Sequence, residues 1–350
     1  MKARTLVRRS LVFYARSHAG VLAGVAAATA ALVGALLLGD SVRYTLQHLA
    51  RLRLGQIAFA VEAGPRFFRE DLAERVASLT SVPTTSALAL PGMAISGTAD
   101  GDERQVNRVR VIGVEADFWN FADPPASNSM RARAGALQAG EVAVSRRLAE
   151  ELGAVVGDEL SLRIARPVAL PREAPLAARQ DGATLRLRVR LVAVLEDNDF
   201  GRFDLAAGQI APRNAFVRRT WLQERLAKPQ CANILLIGGA NAEPTQAEIS
   251  SALQAAWRAQ DSGLRIETPA AGVHQILADR VFLDGAIAEA ALAQPDAVGA
   301  LTYLVNEIAN ADAIEYSTPY SFVNALAPSP NGPRGLSPVP PDLNDDEIVL

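Results

Sequence analysis

The side chains that most often do chemistry are few and scattered in this sequence. It has three histidines, His18, His48 and His274, and a single cysteine, Cys231. His18 and His48 flank a long apolar stretch, which separates them from His274. No HExxH pair, paired-cysteine spacing, GxSxG elbow or GxxxxGKS/T loop occurs. That removes the usual arrangements for a catalytic zinc, an activated serine and a bound nucleotide phosphate. The acidic runs around Glu196, Asp197 and Asp199 and around Asp342, Asp345, Asp346 and Glu347 carry oxygen ligands of the kind calcium takes. Neither follows the DxDxDG loop spacing, so both read as solvated loops. Arg186, Arg188 and Arg190 alternate with Leu185, Leu187, Val189 and Leu191. That period of two marks a strand with one buried face and one row of arginines in water. Cys231 precedes an apolar run and reads as a buried small hydrophobe. Trp119, Trp221 and Trp257 read as core aromatics. The sequence therefore describes a chain that is not an enzyme and has no cofactor or metal site.

Composition narrows the class further. Hydrophobic residues make up 49% and charged residues 21% of the 350, with a formal net charge of -3. Such a balance argues for a folded chain and against a nucleic-acid surface. One cysteine allows no intramolecular disulfide, so stability in an oxidising compartment must come from core burial.

Residues 19–39, AGVLAGVAAATAALVGALLLG, contain no charge. At about 1.5 Å per residue they cover the roughly 30 Å hydrocarbon core of a bilayer. Lys2, Arg4, Arg8, Arg9 and Arg16 precede them without an acidic residue. The positive-inside rule then keeps the N-terminus cytoplasmic and places Asp40 onward outside, as for a protein of the inner (plasma) membrane. A cleaved signal peptide is the competing reading. The long basic region, the long apolar stretch and the lack of a small-x-small cleavage site after Leu38 argue for an uncleaved anchor. Gly20, Gly24 and Ala28 form a small-xxx-small row that admits a second helix closely. Beyond the span, Val42, Leu46 and Leu49 keep helical spacing, and Gly55 stands where a C-cap belongs. This predicts a stalk with an apolar interface, and with the glycine row it predicts a homo- or heterodimer.

Further along, the patterns predict strands at 56–61, 108–114, 141–144, 158–164, 184–194, 215–217 and 233–237. Helices are expected at 65–79, 145–152, 220–226 and 243–260, with another around 272–293. Strands and helices mix without a βαβ rhythm, which makes the fold class α+β. The predicted division is a cytoplasmic basic segment (1–18), a transmembrane helix (19–39) and a stalk (40–55). A periplasmic α+β core (56–240) follows, then a second periplasmic α+β segment (241–350) that is incomplete at its end.

Three segments in this order carry a resemblance: VRVIGVEADFW (109–119), EVAVSRRLAEELGAVVGDELSLRI (141–164), and LRLRVRLVAVLED with FGRF (185–203). Together with the basic N-terminus, single span and stalk, they resemble the permease subunits of the MacB/LolC/FtsX superfamily, the type VII ABC transporters. The resemblance implies a mechanotransmission permease, served by a separate cytoplasmic ABC-type ATPase that hydrolyses ATP. It also implies membrane helices that pass motion along the stalk to a periplasmic domain. Family permeases have three further spans after that domain, so the resemblance implies that the chain is the N-terminal part of a longer permease. Two alternatives stay open: a single-span, membrane-anchored periplasmic binding or scaffold protein with no ATPase partner, and a secreted enzyme with a cleaved signal.

Overall fold

The computed structural model describes residues 3–97, 103–122, 135–166, 184–206, 208, 210–239, 244–270, 273–278, 283–295, 297–310 and 313–326. The acidic run from Asp342 and the chain end lie outside them. The described residues form two compact units, the larger reaching Ser262 and the smaller starting at Gly263.

The larger unit begins with α1 (Ala3–Phe13) and α2 (Ala15–Leu54). At about 1.5 Å per residue the 40 residues of α2 extend roughly 60 Å, about twice a bilayer's hydrocarbon thickness. It is the one helix among the described residues long and apolar enough to cross a membrane. The apolar half is fully exposed, and only the last turn, at Leu52 and Arg53, is buried. The exposure fits a lipid-facing segment, since in water so large an apolar surface would be costly.

Among the described residues beyond α2, ten strands and four α-helices build the globular part: β1 (Ile57–Glu62), β2 (Phe68–Arg69), α3 (Leu72–Thr80), β3 (Thr84–Gly97), β4 (Glu103–Val114), β5 (Glu141–Ser145), α4 (Arg146–Leu152), β6 (Glu159–Ala165), β7 (Thr184–Leu195), β8 (Asn214–Arg218), α5 (Arg219–Leu226), β9 (Cys231–Ala232), β10 (Ile234–Gly238) and α6 (Gln246–Ala256). The main sheet runs β1-β10-β3-β4-β8-β5-β7-β6, and β6 returns to pair with β3. Six strands therefore close a ring, while β10 and β1 extend from it as a flap. Strand β3 makes this possible by pairing with β10 over Thr84–Ala87 and with β6 over Gly92–Ser96. At the change of partner, a Cβ on Gly92 would sit 2.6 Å from the Arg163 carbonyl oxygen. Only glycine lets the two backbones approach so closely.

Three apolar cores result. One fills the ring, where Leu187, Val189 and Leu191 of β7 meet Leu148 and Leu152 of α4 and Trp221 and Leu222 of α5. A second lies on the other side of the sheet around Phe118, Trp119, Phe200, Phe203 and Phe216. The third joins Leu72 and Val76 of α3 and Ile249 of α6 to Leu235 and Ile237 of β10. Strand β7 serves two of them. Between Leu191 and Ala193 its register against β5 shifts by an extra residue, which turns Ala193 and Leu195 toward the aromatic core. Asp261, its side chain fully buried, accepts hydrogen bonds from the backbone of Arg69 and Arg258 and pairs with Arg75. This ties the end of the larger unit to α3 and β2.

Several local expectations need correction. Residues 65–79 do not form one helix: Phe68 and Arg69 pair with β9, and α3 starts only at Leu72. Leu79, at the end of that range, is exposed. The helix expected around 272–293 is the strand β12 (Val273–Ala278) followed by α7 (Gly285–Leu292). Trp257 is not a core residue. It is 39% exposed, at the end of α6, where its indole N–H donates to Ser262 Oγ. Cys231 is half-buried.

The smaller unit contains the antiparallel pair β11 (Leu264–Ala270) and β12, then α7, and the hairpin of β13 (Ala300–Asn310) with β14 (Ala313–Leu326).

Candidate functional site

The feature that distinguishes this molecule is the place where α2 enters the globular part. Helix α2 is exposed along most of its length and meets the domain at its end, where Leu52 and Arg53 are buried. Gly55 caps it at φ 55°, ψ -126°, with its N–H returning to the Arg51 carbonyl. A Cβ there would collide with the carbonyl oxygen of Phe121. That carbonyl instead accepts a 2.7 Å hydrogen bond from the Gln56 N–H. The chain thus turns directly from stalk into β1 against the aromatic core.

Charge locks the same corner. Arg53, only 7% exposed, places its guanidinium 3.3 Å from Asp204 and donates to the Gly208 carbonyl. Asp204 also pairs with Arg110 of β4, whose other terminal nitrogen lies 3.3 Å from Glu62 at the end of β1. One carboxylate therefore bridges two guanidiniums, joining stalk, loop and sheet. The side chains of Arg53, Asp204 and Arg110 are 9%, 18% and 23% exposed, so water screens this cluster less than a surface pair.

The loop that carries Asp204 is itself held from inside. Asn214, fully buried at the start of β8, donates from its side-chain nitrogen to the carbonyls of Gly201 and Phe203, at 3.2 and 2.7 Å. Phe200 and Phe203 pack with Phe118 at ring-centroid distances near 5 Å, at 5.2 and 5.1 Å. The rings fix the loop, the loop fixes Asp204, and Asp204 holds the stalk. A second brace stands further round the ring. Glu151 of α4 bridges Arg147 and Arg213, at 2.8 and 2.6 Å. Burial pushes its pKa up, but the hydrogen bonds and charges of the two arginines outweigh that and hold the carboxyl below the ordinary glutamate value.

The residues singled out in the sequence fall as follows. Gly20, Gly24 and Ala28 are exposed along the apolar half of α2, with nothing within 4 Å of a Cβ on either glycine. Val42 and Leu46 are exposed and Leu49 is half-buried. The structure brings neither group against another helix. Arg186, Arg188 and Arg190 are exposed on the outside of β7. His18 and His48 lie on α2, and His274 on β12. Among the described residues no cluster of histidine, cysteine and carboxylate side chains could hold a metal ion. Sequence reasoning missed Arg53, Asp204 and Arg110. The signals for them were an arginine beside the cap at Gly55 and a carboxylate directly after FGRF.

A membrane-length helix that runs into an α+β domain of this kind marks a membrane-anchored extramembrane module. The model of the MacB-like periplasmic core domain matches residues 19–252, and the chain belongs to that family, a periplasmic domain of ABC-type transporter permeases. Two solved structures are similar at low levels. The extracellular domain of the noncanonic ABC-type transporter YknZ from Gram-positive bacteria is 9% identical, with a TM-score of 0.33. The match covers 55% of this chain and 88% of that one. The periplasmic region of MacB from Actinobacillus actinomycetemcomitans is 6% identical, with a TM-score of 0.34, and the match covers 69% and 96%. No curated protein matches the sequence.

Proposed function

We propose that this chain acts as a permease subunit of a mechanotransmission ABC transporter. A separate cytoplasmic ABC-type ATPase hydrolyses ATP, and α2 carries the resulting movement to the extracytoplasmic domain. The observation that carries the reading is the continuity of α2 from its apolar half to the Arg53–Asp204–Arg110 cluster. A flexible tether would anchor the domain equally well but would pass on no displacement. A 40-residue helix whose last turn is locked to the sheet transmits both tilt and translation. In this reading the basic N-terminus is cytoplasmic, in the inner (plasma) membrane. Gly20, Gly24 and Ala28 form the packing face toward a second permease, and Val42, Leu46 and Leu49 form the stalk interface. The extracytoplasmic part comprises the rest of the larger unit after the stalk, to Ser262, and the smaller unit from Gly263.

The test is purification of the chain from its native membrane after mild cross-linking. An ABC-type ATPase recovered in stoichiometric amount supports the reading. A chain recovered without one, with no change in cross-linking on adding ATP, overturns it in favour of a membrane-anchored binding or scaffold protein.

A further inference from the structure

Strand β4 pairs with β8 only from Arg110 onward, so among the described residues its first half, residues 103–108, has no strand on that side. A cleft of about 540 Å³ opens there, lined by Gln105, Val106, Asn107 and Arg108 of β4, Glu151 of α4 and Arg213 just before β8. That volume falls in the range of small-ligand sites. Against β3 the register jumps: Met93 faces Asn107 and Gly92 faces Val109, which leaves Arg108 as an extra residue. Such bulges re-aim a side chain, and the position that turns left-handed is normally a glycine. Arg108 takes it at φ 57°, a conformation costly for a long side chain. The turn puts an exposed arginine on the cleft wall, and no carboxylate among the described residues pairs with it.

The other groups are held in place and leave the cleft positive. Glu151 gives one carboxylate oxygen to Arg147 at 2.8 Å and the other to Arg213 at 2.6 Å. Arg213 also donates from Nη1 to the Asn107 carbonyl at 3.3 Å, so its Nη2 is left for another acceptor. Asn107 Oδ1 accepts from Gln105 Nε2 at 3.1 Å, which leaves Asn107 Nδ2 to donate. Three guanidiniums, of Arg108, Arg147 and Arg213, thus stand against the single carboxylate of Glu151, an excess of two positive charges. We propose that this cleft binds a phosphate group, held between Arg108 and Arg213 with Asn107 Nδ2 as a third donor. A phosphate monoester carries about -1.5 to -2 charges at pH 7 and three strong acceptor oxygens, which matches both the excess charge and the three donors. A single carboxylate would offset only half of that charge. Backbone strain of the kind seen at Arg108 is held where the surrounding fold enforces it for a site. The phosphate belongs either to a soluble ester or to a lipid headgroup. The inference is independent of any ATPase.

The experiment is calorimetric titration of inorganic phosphate into the full chain in uncharged detergent, beside the variants Arg108→Asn, Arg108→Lys and Arg188→Gln. Asparagine tolerates left-handed backbone, so Arg108→Asn removes the charge and relieves the strain together. Arg188→Gln removes the same charge from the outside of β7, away from the cleft lining. The expected result is saturable binding by the parent chain, weakened roughly tenfold or more in Arg108→Asn, less in Arg108→Lys and not at all in Arg188→Gln. The thermal midpoint of Arg108→Asn should equal or exceed that of the parent. Lack of saturable binding, or binding that Arg108→Asn leaves unchanged, would overturn the proposal. So would a lowered midpoint in Arg108→Asn, since Arg108 would then serve the fold and not a ligand. Repeating the titration in bilayer discs that contain phosphatidic acid separates the two sources. Competition by the disc lipid assigns the cleft to a headgroup, and undiminished affinity assigns it to a soluble phosphate.

Discussion

Asp204→Ala removes the one carboxylate that both Arg53 and Arg110 share, and leaves two largely buried guanidiniums facing each other. Breaking a fully buried pair from one side costs about 3–5 kcal/mol. Partial exposure of the cluster and the remaining Glu62 contact reduce this, so about 3 kcal/mol is expected. Arg53→Ala should cost less, about 2 kcal/mol, because Asp204 keeps Arg110. The double variant should cost well below the sum of the two, by about 1–2 kcal/mol, since the second substitution has no partner left to strand. The assay is urea unfolding of the purified chain in mild detergent, followed by tryptophan fluorescence, to which Trp119 in the adjacent aromatic core contributes. Asp197→Ala serves as the control, because its pairing with Arg202 involves a carboxylate that is 48% exposed and should matter by under about 0.5 kcal/mol. Additivity of the Arg53 and Asp204 substitutions within about 0.5 kcal/mol would refute the claim that they form one clamp.

Other substitutions probe the same corner. Gly55→Ala must both relieve a collision with the Phe121 carbonyl and hold a positive φ, so it should destabilise the chain by about 2–3 kcal/mol in the same unfolding assay. Asn214→Ala deletes two hydrogen bonds to the Asp204 loop and opens a small void. A loss of about 2–3 kcal/mol is expected, with faster hydrogen exchange at Gly201–Asp204. For Glu151 the folded pKa is depressed, so its contribution is present above the unfolded value, near about 4.3, and is lost as pH falls through the lower folded value. The stability gap between the wild type and Glu151→Gln should therefore shrink as pH is lowered from about 6 to about 3 in urea titrations.

How far the sequence reveals this structure depends on the reach of the contacts involved. The alternation in β7 is legible because one face meets a core and the other meets water. Helix α4 is legible because Leu148, Leu152 and the left-handed Gly153 are local signals. The α+β class and the membrane helix follow from the same kinds of pattern. Strand β3 is not legible. Both its faces are buried at Ala87 and Leu88, so it shows no alternation, and Pro91 and Gly92 read as a break. The structure uses that pair at the change of strand partner instead. Phe68, Leu72 and Val76 share one core, which imitates helical spacing although Phe68 belongs to a strand. The clamp is hidden for a different reason. Arg53 and Asp204 are far apart in sequence, and no local pattern indicates which carboxylate a helix-terminal arginine will meet. The arginine beside Gly55 and the carboxylate after FGRF mark the two ends of the corner but not their pairing.

In this structure the clamp makes stalk and domain move as one body. That coupling is tested most directly by a spin-label distance across the junction, between Ala50→Cys on α2 and Glu159→Cys on β6. Both sites are exposed, and the labels are read in the Cys231→Ser chain reconstituted in a bilayer. A rigid junction gives a single narrow distance distribution that broadens when Asp204→Ala is added. A broad distribution in the parent chain, or a narrow one unchanged by Asp204→Ala, would contradict it.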